Sequence, residues 1–196
     1  MLIYSGFRPS EAFALTWEDV DFNENTIRIN KTVTEDSKSI GTPKTVSSNR
    51  TIKINSHFVK ELKMFRNTQQ IFYWKVAGNN IKPKYVFTNI TGTVLQNGGE
   101  WYSVQNFRNI WKGLCGRHNI PFFSGSTLHC FRHTHATTQL LNSRHGYEVK
   151  FKMVSKRLGH SDVFETIRTY HHLFPEQETS FDEDFDNHMN NLIIAK

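Results

Sequence analysis

The chain has 196 residues, a formal net charge of +6, 37% hydrophobic and 21% charged residues. That is enough apolar mass to bury a core of one domain, and it excludes a disordered chain. No apolar run reaches the ~18 residues a membrane span needs, and two cysteines, Cys115 and Cys130, are too few for a disulfide framework.

In chain order, the opening MLIYSGFRPSE turns polar after four residues, unlike a secretory signal, so the expected compartment is the cytoplasm. GFRPSEAFALTWEDVDF places Pro9 and Glu11 at a helix start, with Ala12, Leu15 and Trp17 as apolar mass. NTIRINKTVT alternates Ile27, Ile29 and Val33 with polar residues, and TIKIN alternates again beyond a turn-rich stretch. Residues 26–55 therefore predict a small antiparallel sheet. Helices dominate afterwards. SHFVKELKMFRNTQQIFYW spaces Phe58, Leu62, Phe65 and Ile71 helically behind a cap at Ser56. EWYSVQNFRNIWKGLCGRHN puts Val104, Phe107, Trp111 and Leu114 on one face. TLHCFRHTHATTQLLN follows a turn at SGS, and VKFKMVSKRLGH is a short helix stopped by Gly159. Tyr4 and Tyr85 sit in apolar runs and are expected in the core. The fold class is mainly α with one small antiparallel sheet, with no internal repeat or low-complexity segment.

The charge is unevenly spread. Residues 1–173 hold 23 Lys and Arg against 12 Asp and Glu, whereas residues 174–196 hold one Lys against six acidic residues. A basic body suits a polyanionic partner, although many soluble proteins are this basic without one. In the acidic tail, Phe181, Phe185, Met189 and Leu192 form one apolar stripe at helical spacing. Such a helix needs a groove to bury it.

The candidate chemistry is carried by single residues, each with a plain alternative. Arg8 precedes a helix start, where free backbone N–H groups suit an anion, but it reads equally as an exposed turn arginine. Lys44 lies in a turn between two strands, where it can reach outward or simply be solvated. His129 and Arg132 are three apart on one helix face. His129, His133 and His135 raise a metal site, since a His pair at i, i+4 can bind zinc, but no Glu stands where a His-Glu-x-x-His site needs one and Cys130 points off that face, so no metal is expected. His160 follows Gly159, and Tyr170 comes ten residues later among polar neighbours, where a phenol is presented to solvent.

Taken in order, these residues resemble the catalytic domain of the tyrosine recombinase (phage integrase) family over roughly residues 2–174. SGFRPSEAFALTWEDVDF resembles its first motif, with Ser5 where Thr is usual. TPKTVSSNRTIKI resembles its Lys-bearing hairpin, LHCFRHTHAT its His-x-x-Arg-His motif, and RLGHSDVFETIRTYHHL its closing Leu-Gly-His and Tyr segments. The stretch NSRHGYEVKFKMVSKRLGH is a little longer than typical.

The resemblance implies double-stranded DNA as partner, with site-specific recombination through a 3′-phosphotyrosyl bond and neither cofactor, metal nor ATP. It assigns Arg8 and Arg132 to clamp the phosphate, Lys44 to protonate the leaving 5′-oxygen, and His160 to bind a non-bridging oxygen. Tyr170 attacks and His129 accepts its proton. It also implies preceding DNA-clamping segments, so the chain reads as N-terminally truncated, and self-association as a tetramer on DNA. Residues 1–174 form the catalytic domain in this reading, and residues 175–196 form a tail helix that docks in cis or in trans. The competing readings are a DNA-binding remnant without activity, a type IB topoisomerase-like relaxing enzyme, and a metal-dependent nuclease.

Overall fold

A computed structural model describes residues 1–34, 39–43, 45–78, 81–89, 99–120 and 128–175. The expected turn at SGS, Lys44 and the striped tail from residue 176 onward lie outside the described residues. The chain is mainly helical with small antiparallel sheets, as its sequence predicts.

Two short helices open it, α1 (Leu2–Ser5) and α2 (Pro9–Ala14). Pro9 stands at the first turn of α2, where its missing N–H leaves no hydrogen bond unmade. Strands β1 (Val20–Asp21), β2 (Thr26–Ile29) and β5 (Arg50–Lys53) form a three-stranded sheet in the order β1-β2-β5. The predicted sheet is broken differently from expectation. NTIRINKTVT supplies two strands, because β3 (Thr32–Val33) leaves the ladder and pairs with β4 (Ile40–Gly41) in a separate hairpin. Between β2 and β3, Lys31 binds the buried Asp19 carboxylate at 2.7 Å.

Helix α3 (Ser56–Ala77) is capped by Asn55 rather than Ser56: the Asn55 side chain accepts from the Phe58 N–H at 2.8 Å. Its Phe58, Val59 and Leu62 join Ala12, Leu15, Trp17, Ile27, Ile29 and Ile52 in one core on the sheet. Past Leu62 the core covers the helix only in part: Phe65 leans on Trp17 and Phe87 yet stays exposed, as does Ile71, although both keep the helical spacing. Beyond it, β6 (Thr88–Asn89) pairs with β7 (Glu100–Trp101), and α4 (Val104–Arg117) turns Val104, Phe107 and Trp111 onto Phe13, Val33 and Leu128.

The C-terminal part is a second core of three helices: α5 (His129–Asn142), α6 (Tyr147–Leu158) and α7 (Val163–Tyr170). Ala136, Leu140, Phe151, Val154, Leu158 and Tyr170 fill it. Gly159 ends α6 at φ 72°, a left-handed conformation that glycine adopts freely. Of the two tyrosines expected inside, Tyr85 is buried, but Tyr4 is 43% exposed, stacked on Phe58 at the rim of the sheet core. No helix among the described residues is long and apolar enough to cross a membrane.

Candidate active site

The seam between the two cores collects the predicted residues. Arg8 is the N-cap of α2, and its backbone N–H donates to Glu11 Oε2 at 2.8 Å while Nη1 reaches Oε1 at 3.2 Å. Glu11, three residues into the helix and 3% exposed, is also gripped from the sheet. Arg50 Nη1 and Nη2 each donate to one of its oxygens at 3.0 Å, a two-pronged fork. Burial alone would raise the Glu11 carboxyl, but Arg50 and then Arg8 outweigh it and hold the group below the usual carboxylate range.

Arg50 ties in the third segment as well. Its Nε donates to the Arg157 carbonyl at 2.7 Å, near the end of α6. A Cβ on Gly159 would stand 2.7 Å from Arg50 Nη1, so the turn after α6 can lie on this guanidinium only as glycine. Arg132 completes the group from α5. It is 5% exposed, with Nη1 on the Gly6 carbonyl and Nη2 on the Leu158 carbonyl, both at 2.8 Å. Burial, reinforced by Arg8, lowers its pKa to about 10, which leaves it charged at neutral pH. Three of its five N–H groups remain for another oxygen ligand.

Behind this group sits His135, whose ring packs against Gly6. Its Nδ1 donates to the Ile3 carbonyl at 2.7 Å and its Nε2 accepts from Arg157 Nε at 3.0 Å. Burial is the main reason its pKa falls to about 4, so the ring is neutral. His160 is also neutral: burial, then Arg132 and Arg8, bring it to about 4. Its Nδ1 lies 2.8 Å from the Thr166 hydroxyl, and its Nε2 lies 3.3 Å from the half-exposed Glu165 carboxylate. His129 opens α5. Partial desolvation, then Arg132, His133 and Arg8, lowers its pKa.

Tyr170 differs from expectation. It is 4% exposed, not presented to solvent, because α7 turns its ring into the three-helix core. Its hydroxyl meets His133 Nδ1 at 2.8 Å, whereas the sequence pointed to His129 as its partner. Burial raises the phenol pKa, and the Arg132 charge opposes that rise.

The structure thus brings Arg8, Arg132, His160 and Tyr170 to one seam with His129 beside them, while Lys44 lies outside the described residues. Sequence reading missed Arg50 and Arg157, since a strand arginine before TIKI and a helix-end arginine look solvated. It took Glu11 for a helix-start residue only. His133 is visible both at i+4 from His129 and as the closing His of the His-x-x-Arg-His motif, but the resemblance assigns it no role.

Residues 1–177 match the family model described as the phage integrase family. Among curated proteins, the tyrosine recombinase XerC-like protein of Caldanaerobacter subterraneus subsp. tengcongensis is 29% identical over 190 residues, 90% of this chain and 45% of the relative. Transposase A from transposon Tn554 of Staphylococcus aureus is 31% identical over 202 residues, all of this chain and 46% of the relative. The chain therefore spans a little under half the length of these relatives. Among solved structures, the integrase of the Tn1549 transposon, in complex with transposon right end DNA, superposes with a TM-score of 0.68 at 21% identity. The match covers 94% of this chain and 56% of that one. The XerA recombinase superposes with a TM-score of 0.60 at 22% identity, over 95% of this chain and 54% of that one. These two likenesses establish the fold.

Proposed function

The chain belongs to the phage integrase family, and on that premise we propose that it breaks and rejoins duplex DNA as the catalytic part of a site-specific recombinase. Tyr170 is the nucleophile. Its oxygen bonds to the scissile phosphorus as the bond to the 5′-oxygen breaks, leaving a 3′-phosphotyrosyl link and a 5′-hydroxyl. The link keeps the energy of the phosphodiester, so rejoining needs no ATP.

The observation that carries this reading is the convergence of three guanidinium groups, Arg8, Arg50 and Arg132, on a seam with one buried carboxylate, Glu11, and the Tyr170 phenol beside them. Arg50 is spent on Glu11, so Arg8 and Arg132 are the pair with donors to spare. Their planar forks fit the non-bridging oxygens, which gain negative charge in the transition state. His160 is suited to donate to the same oxygens. With Nδ1 accepting from Thr166, the proton sits on Nε2, where the half-exposed Glu165 carboxylate already holds an anionic oxygen. Lys44 protonates the leaving oxygen, and the Tyr170 proton leaves to a histidine of α5. In this reading positive charge comes from side chains and no metal is needed.

Residues 1–174 make up the catalytic domain, the acidic residues 175–196 a tail helix that docks through its apolar stripe, and recombination takes place in a tetramer on DNA. The test is covalent trapping on a nicked substrate in EDTA. The wild-type chain forms a denaturation-resistant DNA adduct, and Tyr170→Phe forms none. An adduct on the Phe variant, or cleavage that EDTA abolishes, contradicts the proposal.

A further inference from the structure

The phenol of Tyr170 makes one side-chain hydrogen bond among the described residues, and it is to His133. The two rings lie 5.8 Å apart at 56°, with the Tyr170 hydroxyl 2.8 Å from Nδ1. His133 is exposed on the outer side of α5, and its Nε2 has no hydrogen-bond partner among the described residues. One ring nitrogen therefore touches the buried phenol while the other is open to water, the arrangement that carries a proton between a closed site and solvent.

We infer that His133, rather than His129, is the base that takes the proton of Tyr170. The inference rests on the function proposed above. As the phenolic oxygen bonds to phosphorus and the bond to the 5′-oxygen breaks, the O–H proton passes to Nδ1 and the leaving oxygen takes its own proton from Lys44. On rejoining, His133 returns the proton to the released phenol. This requires the neutral ring with its proton on Nε2, so that Nδ1 accepts the Tyr170 O–H.

The surroundings suit that role. The charged group that acts on Tyr170 is Arg132, and His133 acts on His129, while Arg8, Glu11 and Arg50 gather around Arg132 and His160. Arg8 and Arg50 stand behind Arg132, and Glu11 is engaged by both of them. A nascent phenolate is thus stabilised from the Arg132 side. The proton leaves to the group that touches the hydroxyl, His133 Nδ1. His129 lies one turn earlier on the same helix, toward the arginines, a better place for holding the phosphate.

Two measurements decide the assignment. The first is ¹⁵N NMR of the histidine rings in the DNA-free protein, with His133→Gln identifying the resonance. An unprotonated Nδ1 and a protonated Nε2 are expected; a proton on Nδ1, donated toward the tyrosine oxygen, overturns the inference. The second is adduct formation against pH. His133→Gln slows it by about 10²-fold or more near neutrality, and the defect shrinks by about tenfold per pH unit toward the phenol pKa, where Tyr170 ionises unaided. His129→Gln keeps the wild-type pH dependence. A defect in the His133 variant that is equal at every pH marks a positioning residue and overturns the assignment. A wild-type chain that forms no adduct contradicts the function proposed above instead, and the tautomer still decides His133.

Discussion

Arg50 and Arg132 are each fixed by two or more hydrogen bonds to backbone carbonyls or to Glu11, whereas among the described residues the phenol of Tyr170 makes one hydrogen bond, to His133. The arginine side of the seam stitches α1, α2, β5 and the end of α6 to α5. The tyrosine side is the last helix of a separate apolar core. The difference teaches a division of labour. On the proposed function, a group that stabilises developing charge acts best when it need not reorganise, and Arg132 is tied to two carbonyls while Arg50 fixes the Glu11 carboxylate of the same seam. On the same proposal Tyr170 must advance onto phosphorus, and among the described residues its hydroxyl is held by one separable contact while its ring packs in the core.

The largest expected effect lies on the arginine side. Arg50→Ala leaves Glu11 buried with only Arg8 and removes the donor to the Arg157 carbonyl. Breaking one partner from such a pair costs about 3–5 kcal/mol, read as a lower urea midpoint at unchanged m-value. Arg50→Lys keeps the charge but not the fork and should fall between. A midpoint equal to that of the wild type would mean that the stitching contributes nothing.

The pH dependence sharpens the same contrast. His135 and His160 have folded pKa values of about 4, lowered mainly by burial, against about 6.5 in an unfolded chain. Between these values the unfolded chain binds more protons, so stability rises with pH. It is complete above about pH 6.5, falls as the pH drops toward 4 and levels off below. For His135 the loss is at most about 3 kcal/mol, and His135→Gln should flatten that part of the urea-midpoint profile. A profile that stays as steep in the variant assigns the slope elsewhere.

The smallest stability effect belongs to the tyrosine side. Tyr170→Phe keeps the ring in the helical core and removes one hydroxyl, at about 1 kcal/mol. It should abolish the DNA adduct while barely moving the urea midpoint. A loss as large as that of Arg50→Ala would show that the hydroxyl is a structural anchor, and the contrast between the two sides would fail.

Much of this was legible in the sequence, for reasons that differ by residue. Pro9, the Gly159 stop and the alternation of Ile27, Ile29 and Ile52 are local signals, and each is where its pattern predicts. The cap at Asn55 instead of Ser56 is a one-residue ambiguity between two good cap residues. The exposed Phe65 and Ile71 show what periodicity cannot give: it fixes a helix face, not how far the opposing core extends. The candidate site residues Arg8, Arg132, His160 and Tyr170 could be named from motif order, yet their packing could not. The burial of Tyr170 depends on α5 and α6, and the grip of Arg50 on Glu11 joins residues 39 apart in sequence. No local pattern encodes either.

The central claim is that the buried Tyr170 is the atom that joins DNA. The most direct measurement is mass spectrometry of the trapped adduct after exhaustive nuclease and protease digestion. The account predicts a nucleotide attached through its 3′-phosphate to the peptide carrying Tyr170, and to no other residue. A nucleotide on another side chain, or one attached through a 5′-phosphate, would contradict it.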